Sequence, residues 1–223
     1  RDFLDRLGVL PCAWAVYSTH SHTEESPRYR LVVPLGRNVT PEEYQAISRK
    51  LADMVDIEAM DPTTYDIERL MYLPSCPSDA PYIMRHQDTE FLAPDTILAT
   101  YEDWRDVSTW PASARESKVI KKLATGRQAD PLAKGGVIGA FCRAYPISRA
   151  IGAFLANVYT PTEKDDRYTY APGSTVGGAV VYDDKFMYSH HATDPAGNRL
   201  CNAFDLVRIH YYGDQDEEVV PVT

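Results

Sequence analysis

Cysteine is scarce in this chain and badly placed for pairing: Cys12, Cys76, Cys142 and Cys201 are widely scattered with no C-x-x-C. That speaks against a disulfide framework and for reduced, buried thiols. Long apolar runs are missing too. None approaches the roughly 20 residues that span a bilayer, and no basic start followed by an apolar run and a small-residue cleavage site occurs, so the sequence reads as cytoplasmic. Positive charge is in deficit, with a net charge of −9, which argues against indiscriminate polyanion binding but leaves room for a local basic patch. No G-x-x-x-x-G-K-[ST] phosphate loop, internal repeat or low-complexity tract is present.

The 223 residues are 44% hydrophobic and 25% charged, ordinary values for a folded chain, and the length suits one large domain or two small ones. Acid gathers in GDQDEEVV at the end, whereas Arg28, Arg30, Arg37, Arg49 and Lys50 lie in the first quarter. The first residue is not methionine, and RDFLDRLG reads as the end of a helix whose first turns are missing. A fragment or processed product is the expectation.

AWAVY (13–17) and RLVVPL (30–35) have the β-branched and aromatic content of strands, joined by the loop STHSHTEESPRY. Thr40, Pro41 and Glu43 spell an N-cap, a first-turn proline and a capping box, and Tyr44, Ile47, Leu51 and Met54 recur at helical spacing, which predicts a helix over about 41–54. A further strand is expected near RLMYLP. Pro77, Pro81, Pro94 and Pro111 then interrupt the chain, with short helices expected around DTILATYEDW and SARESKVIKKLA, and ATGRQADPLAKGG reads as a linker. VIGAFCRAY and ISRAIGAFLANVY look like amphipathic helices, RYTYAPGS, AVVYDD and KFMYSH like short strands with turns at Gly173, Gly177, Gly178 and Asp183-Asp184, and Asn202 caps a last helix, AFDLVRIHYY, closed by Gly213. The expected fold class is α+β, a mainly antiparallel sheet with flanking helices and a small α+β C-terminal module. The segments are a core over 1–108, a connection over 109–133, a module over 134–214 and an acidic tail over 215–223.

Three constellations carry chemistry. In the first, Ser18, His20 and His22 form S-x-H and H-x-H, suited to metal ligation or to phosphate oxygens, and on a strand both rings would share a face. Arg28 and Arg30 alternate onto one face, where a guanidinium makes bidentate phosphate contacts. Exposed loop histidines and solubilising strand-edge charges are the plainer readings. In the second, MDPTTYDIERLMYLPS, Asp61 is a candidate carboxylate for a hard cation, with Thr64, Asp66 and Arg69 following; Asp-Pro-Thr-Thr is equally good turn chemistry. In the third, His190 and His191 with Cys142 and Cys201 invite a zinc reading, but adjacent strand residues point to opposite faces.

Four ordered blocks, YSTHSHTEESPRYRLVVPL, DPTTYDIERLMYLPS, GAFCRAYPISRAIGAFLANVY and YSHHATDPAGNRLCNAFDLVRIH, resemble the archaeo-eukaryotic primase superfamily. Within it they are most similar to the primase portion of phage and prophage primase-helicases of the virulence-associated-protein-E type, along nearly the whole chain. The resemblance implies a primase-polymerase core with a C-terminal accessory module, performing template-directed nucleotidyl transfer with two divalent ions, Mg²⁺ or Mn²⁺. It also implies a DNA template, nucleoside triphosphates and a fused or associated helicase/ATPase as partners. Asp61 looks like the family's lone acidic motif and so a metal ligand. Ser18 to His20 looks like its S-x-H, with His22 or Arg30 as alternatives in that place; Arg28, Arg30 and Arg69 would contact phosphate. The family's Asp-x-Asp or Asp-x-Glu pair has no counterpart before Ser18, since Asp2 and Asp5 sit in a helix-like stretch. The resemblance therefore implies that this motif has been cut away or belongs to sequence outside this chain, and that the chain is inactive alone. Other classes are a nucleic-acid-binding module without catalysis and a metal-dependent phosphoesterase built on H-x-H. Arg143, Arg149, Arg199 and Arg208 are further candidate phosphate contacts or plain surface charges.

Overall fold

The Thr40 hydroxyl accepts from the Glu43 N–H at 3.2 Å, and the Glu43 carboxylate accepts from the Thr40 N–H at 2.9 Å. This reciprocal cap starts α2, Pro41–Val55, where the sequence places it. The computed structural model describes residues 3–116 and 130–215, and the chain divides into two units, Arg1–Glu102 and Asp103–Thr223. Both are α+β with antiparallel sheets.

In the first unit, a short helix α1 (Phe3–Arg6) precedes β1 (Trp14–Ser18) and β2 (Tyr29–Val32), which form the expected hairpin. The third strand is β3, Met84–Gln87, and the order is β2-β1-β3. No strand forms at RLMYLP: Leu70, Met71, Tyr72 and Leu73 are 67, 51, 69 and 87% exposed and outside any regular element. Apolar composition gives a strand only where a neighbouring strand completes its hydrogen bonds. β1 accepts instead the polar MRHQ, pairing Trp14 with Gln87 and Tyr17 with Met84. The helix expected at DTILATYEDW is the shorter α3, Pro94–Leu98. It ends where the Thr100 N–H turns to the Ile97 carbonyl and the Thr100 hydroxyl bonds the same oxygen.

Directly opposed residues in an antiparallel pair share a face. One face therefore carries the rows Val32–Ala15–His86 and Arg30–Tyr17–Met84; the other carries Leu31–Val16–Arg85 and Tyr29–Ser18. Val16 and Ser18 are fully buried, and Arg85 reaches Asp5 of α1, so the second face is the one turned to the helix side.

In the second unit, α4 (Gly136–Ala144) and α5 (Ile147–Phe154) precede a meander of β4 (Tyr159–Pro161), β5 (Arg167–Tyr170), β6 (Ala179–Tyr182), β7 (Phe186–Ser189) and β8 (Leu200–Asn202), paired in sequence order, before α6 (Ala203–Tyr212). Asn202 caps α6 by accepting from the Asp205 N–H at 3.0 Å. Gly213 does not stop the helix in a left-handed turn; its φ is −64°, and a 3₁₀ turn, Gly213–Gln215, continues the path. Asp183 and Asp184 take φ of 52° and 54° at the β6–β7 turn, a conformation Asp tolerates. Asp184 then accepts from both the N–H and the hydroxyl of Ser148, at 2.7 and 2.9 Å, capping α5. Ile147, Leu155, Tyr159, Met187 and Leu206 lie at 0–1% exposure in this core, each worth about 1.5–3 kcal/mol of burial. Residues 114–116 are helical; the rest of the helix expected at SARESKVIKKLA, most of the linker and nearly all of the acidic tail fall outside the described residues. No described helix is long and apolar enough to cross a membrane.

Candidate functional site

The hairpin mouth is a built loop. Beyond β1, the Thr19 N–H donates to the Arg28 carbonyl and the His22 N–H to the Thr19 carbonyl, both at 3.0 Å. The Ser26 N–H donates to the Thr23 hydroxyl at 3.0 Å. Neither His20 nor His22 is in a strand, so the shared strand face expected of them does not exist. The chain turns at His20-Ser21 because β1 ends with Ser18. His20 is exposed, while His22 is 5% exposed. The His22 Nδ1 accepts from the Arg28 N–H at 3.0 Å, and its ring lies 5.0 Å from that of Tyr29.

Ser18 is fully buried and holds β1 to the segment entering β3: its N–H donates to the Ile83 carbonyl at 2.8 Å and its hydroxyl accepts from the Ile83 N–H at 3.0 Å. Arg28 is exposed, one residue before β2, and Arg30 is half-buried within it, opposite Tyr17. The mouth thus presents His20 and Arg28 to solvent, with Arg30 on the sheet face behind them. Sequence reasoning missed His86, exposed on the same face as Arg30 and opposite Ala15. The signal was hidden by the polarity of its strand.

The second constellation meets the hairpin where the Tyr17 hydroxyl donates to the Tyr72 carbonyl at 3.3 Å. Asp61 lies elsewhere in the unit, exposed, with Oδ1 accepting from the Thr63 N–H at 3.0 Å to cap a 3₁₀ turn, Pro62–Tyr65. That turn is fixed to α2 by the Tyr44 hydroxyl on the Thr64 carbonyl at 2.9 Å and by Arg49 over the Tyr65 ring at 4.4 Å. Burial, and secondarily the charge of Asp66, pushes the Tyr44 hydroxyl pKa up, so it acts as a neutral donor. Arg69 is exposed. No hydrogen bond or ion pair joins Asp61 to His20, His22, Arg28 or Arg30 among the described residues, and no three His, Cys, Asp or Glu side chains there converge as a metal site. Asp61 alone does not make a metal centre.

Of the adjacent histidines His190 and His191 in the second unit, His191 is structural. His191 is 1% exposed; its Nε2 accepts from the N–H groups of Tyr170 and Gly178, each at 3.1 Å, so the ring proton sits on Nδ1 and faces the Thr175 hydroxyl at 2.7 Å. The Cys142 thiol lies 3.6 Å from the Asn202 side-chain oxygen, and burial pushes the Cys201 thiol up to about 12. Both ring nitrogens of His191 are thus engaged, and among the described residues no three His, Cys, Asp or Glu side chains converge as a zinc ligand set.

Residues 1–113 of the 223 match the model of the VapE N-terminal domain family. No curated protein and no solved structure matches the chain. The matched span includes the whole hairpin, Asp61 and β3, that is, every candidate residue of the first unit. The chain belongs to the VapE N-terminal domain family.

Proposed function

We propose that this chain, as part of a VapE-like phage-type replication protein, serves in primer synthesis, with the hairpin mouth as a clamp for the triphosphate of an incoming nucleotide. The observation that carries the reading is the pairing of an exposed, hydrogen-bonded loop with guanidinium groups. His20 and Arg28 face solvent at its rim, and Arg30 stands on the adjoining strand. A guanidinium offers paired donors matched to phosphate oxygens, and a loop already closed by its own hydrogen bonds loses little freedom on binding. On this reading Ser18 shapes the site from within, and His20 with Arg28 and Arg30 orients the triphosphate.

The reaction class is template-directed nucleotidyl transfer, with a DNA template, nucleoside triphosphates and an attached or associated helicase/ATPase as partners. Mg²⁺ or Mn²⁺ is the cofactor it calls for, supplying charge stabilisation at the reacting phosphates. Among the described residues no cluster of three His, Cys, Asp or Glu side chains composes that metal site. Asp61 offers it one carboxylate at most, and Arg69 remains a candidate phosphate contact. A cytoplasmic location accompanies the reading.

The test is primer synthesis on a single-stranded template by the full-length gene product, beside Asp61→Asn and Arg30→Ala variants. Loss of product in both supports the reading. Retained synthesis in Arg30→Ala would remove the clamp. Absence of synthesis by the unaltered protein, together with salt-sensitive strand binding indifferent to Asp61, would instead favour a nucleic-acid-binding module without catalysis.

A further inference from the structure

We infer that His22 is a positioning residue for Arg28, holding the backbone from which that guanidinium reaches a bound phosphate. The inference rests on the clamp reading above and assigns different work to the two loop histidines.

Three observations carry it. First, His22 is 5% exposed and its ring is set against Tyr29, which stacks in turn on Phe3 with centroids 6.1 Å apart. A ring so enclosed is poorly placed to meet a ligand in solvent. Second, Nδ1 accepts a hydrogen bond, so this nitrogen carries no proton and its role is to receive the Arg28 N–H, six residues along the chain. Third, the Arg28 carbonyl is taken by the Thr19 N–H at 3.0 Å. Both backbone polar groups of Arg28 are therefore held from within the loop, which fixes the direction of its Cα–Cβ bond while the side chain stays exposed. The guanidinium then has only its own rotamers to order on binding a phosphate, and a charge-assisted contact of this kind is worth roughly tenfold or more in affinity.

The roles of the two ring nitrogens separate in substitution. Asparagine places an acceptor where Nδ1 lies, and glutamine reaches the position of Nε2. Binding of a magnesium–nucleoside triphosphate is measured by titration calorimetry, and exchange of the Arg28 amide by NMR, for the unaltered chain and for His22→Asn, His22→Gln, Arg28→Ala and the His22→Gln/Arg28→Ala double variant. His22→Asn should bind within about twofold of the unaltered chain, and His22→Gln and Arg28→Ala should each weaken about tenfold. The double variant should be no weaker than Arg28→Ala, because the two residues act as one unit. Arg28 amide exchange should quicken in His22→Gln and stay slow in His22→Asn. Normal binding by His22→Gln with loss in His22→Asn would overturn the inference, as would losses that multiply in the double variant or an Arg28 amide unmoved by His22→Gln. Equal absence of binding in the unaltered chain and Arg28→Ala would overturn the clamp itself, and the amide exchange would still decide whether His22 holds Arg28.

Discussion

Gly178 donates its N–H to the Nε2 of His191 at 3.1 Å and lies so close to the ring that a Cβ at this position would sit 2.9 Å from it. The glycine is thus required by an approach of backbone to imidazole, not by a special φ. The same Nε2 receives the Tyr170 N–H, and Nδ1 faces Thr175, so one buried ring joins β5, the turn before β6 and the chain after β7.

Gly178→Ala should destabilise the second unit by about 1–3 kcal/mol, through overpacking and loss of the His191 bonds. Gly152, an exposed glycine within α5 whose added Cβ would meet nothing within 4 Å, is the control. Gly152→Ala should leave stability unchanged or raise it by up to ~1 kcal/mol. Thermal denaturation of both variants checks the contrast, and an equal melting temperature for Gly178→Ala would refute the packing argument.

Asp194 sets an acid limit on stability. Burial alone would raise its pKa, but hydrogen bonds from His210, Ser189 and Tyr159 more than offset that and hold the carboxyl below its ordinary range. The Tyr159 hydroxyl lies 2.7 Å from Oδ2 and the Ala196 N–H 2.8 Å from Oδ1. A carboxyl whose pKa is depressed in the folded state contributes stability fully present above its unfolded pKa and lost as pH falls through the folded value. The second unit should therefore hold level near neutrality and weaken as acid takes the pH below the ordinary carboxylate range of about 4. Asp194→Asn should cost about 1–3 kcal/mol at pH 7, and its deficit should shrink on acidification. Urea titrations across that range measure both slopes.

Thr40→Ala should remove one half of the capping box and cost about 1 kcal/mol in the first unit. Triphosphate binding at the hairpin should be unaltered, because the cap lies outside the loop hydrogen bonds. Urea denaturation read beside calorimetric binding checks the separation.

Asp61 can be a cap, a metal ligand or both, and two substitutions divide these roles. Asp61→Asn keeps an acceptor for the Thr63 N–H but loses the negative charge; Asp61→Ala loses both. If the carboxylate holds a divalent ion, primer synthesis should fall by at least ~100-fold in Asp61→Asn with little change in stability. If it is only a cap, Asp61→Asn should behave as the unaltered protein and Asp61→Ala should lose about 1 kcal/mol.

Much of the architecture was legible because its signals are local. The capping box of α2, the Asn202 cap of α6, the left-handed Asp183-Asp184 turn and the β-branched runs of β1 and β2 each act within a few residues. RLMYLP, MRHQ and the end of ISRAIGAFLANVY, where the helix stops at Phe154 and Tyr159 opens β4, were read wrongly because strands are completed by partners distant in sequence. RLMYLP has strand composition and no neighbour, while MRHQ has little of it and sits against β1, about 70 residues earlier in the chain.

The candidate site divides the same way. Which residues are candidates for phosphate or metal chemistry, Ser18, His20, His22, Arg28, Arg30, Asp61 and Arg69, was set by side-chain identity and so was open to reading from sequence. Their work was not, because it depends on which atoms are already bonded and which reach water. Tertiary structure alone decided that Ser18 is sealed against Ile83, that His22 is turned inward on the Arg28 N–H while His20 faces solvent, that His86 joins the face of Arg30, and that Asp61 caps a turn beside α2. The physical reason is that a chain determines its chemical groups residue by residue, but burial and hydrogen-bond partnership arise only when segments far apart in sequence close on one another.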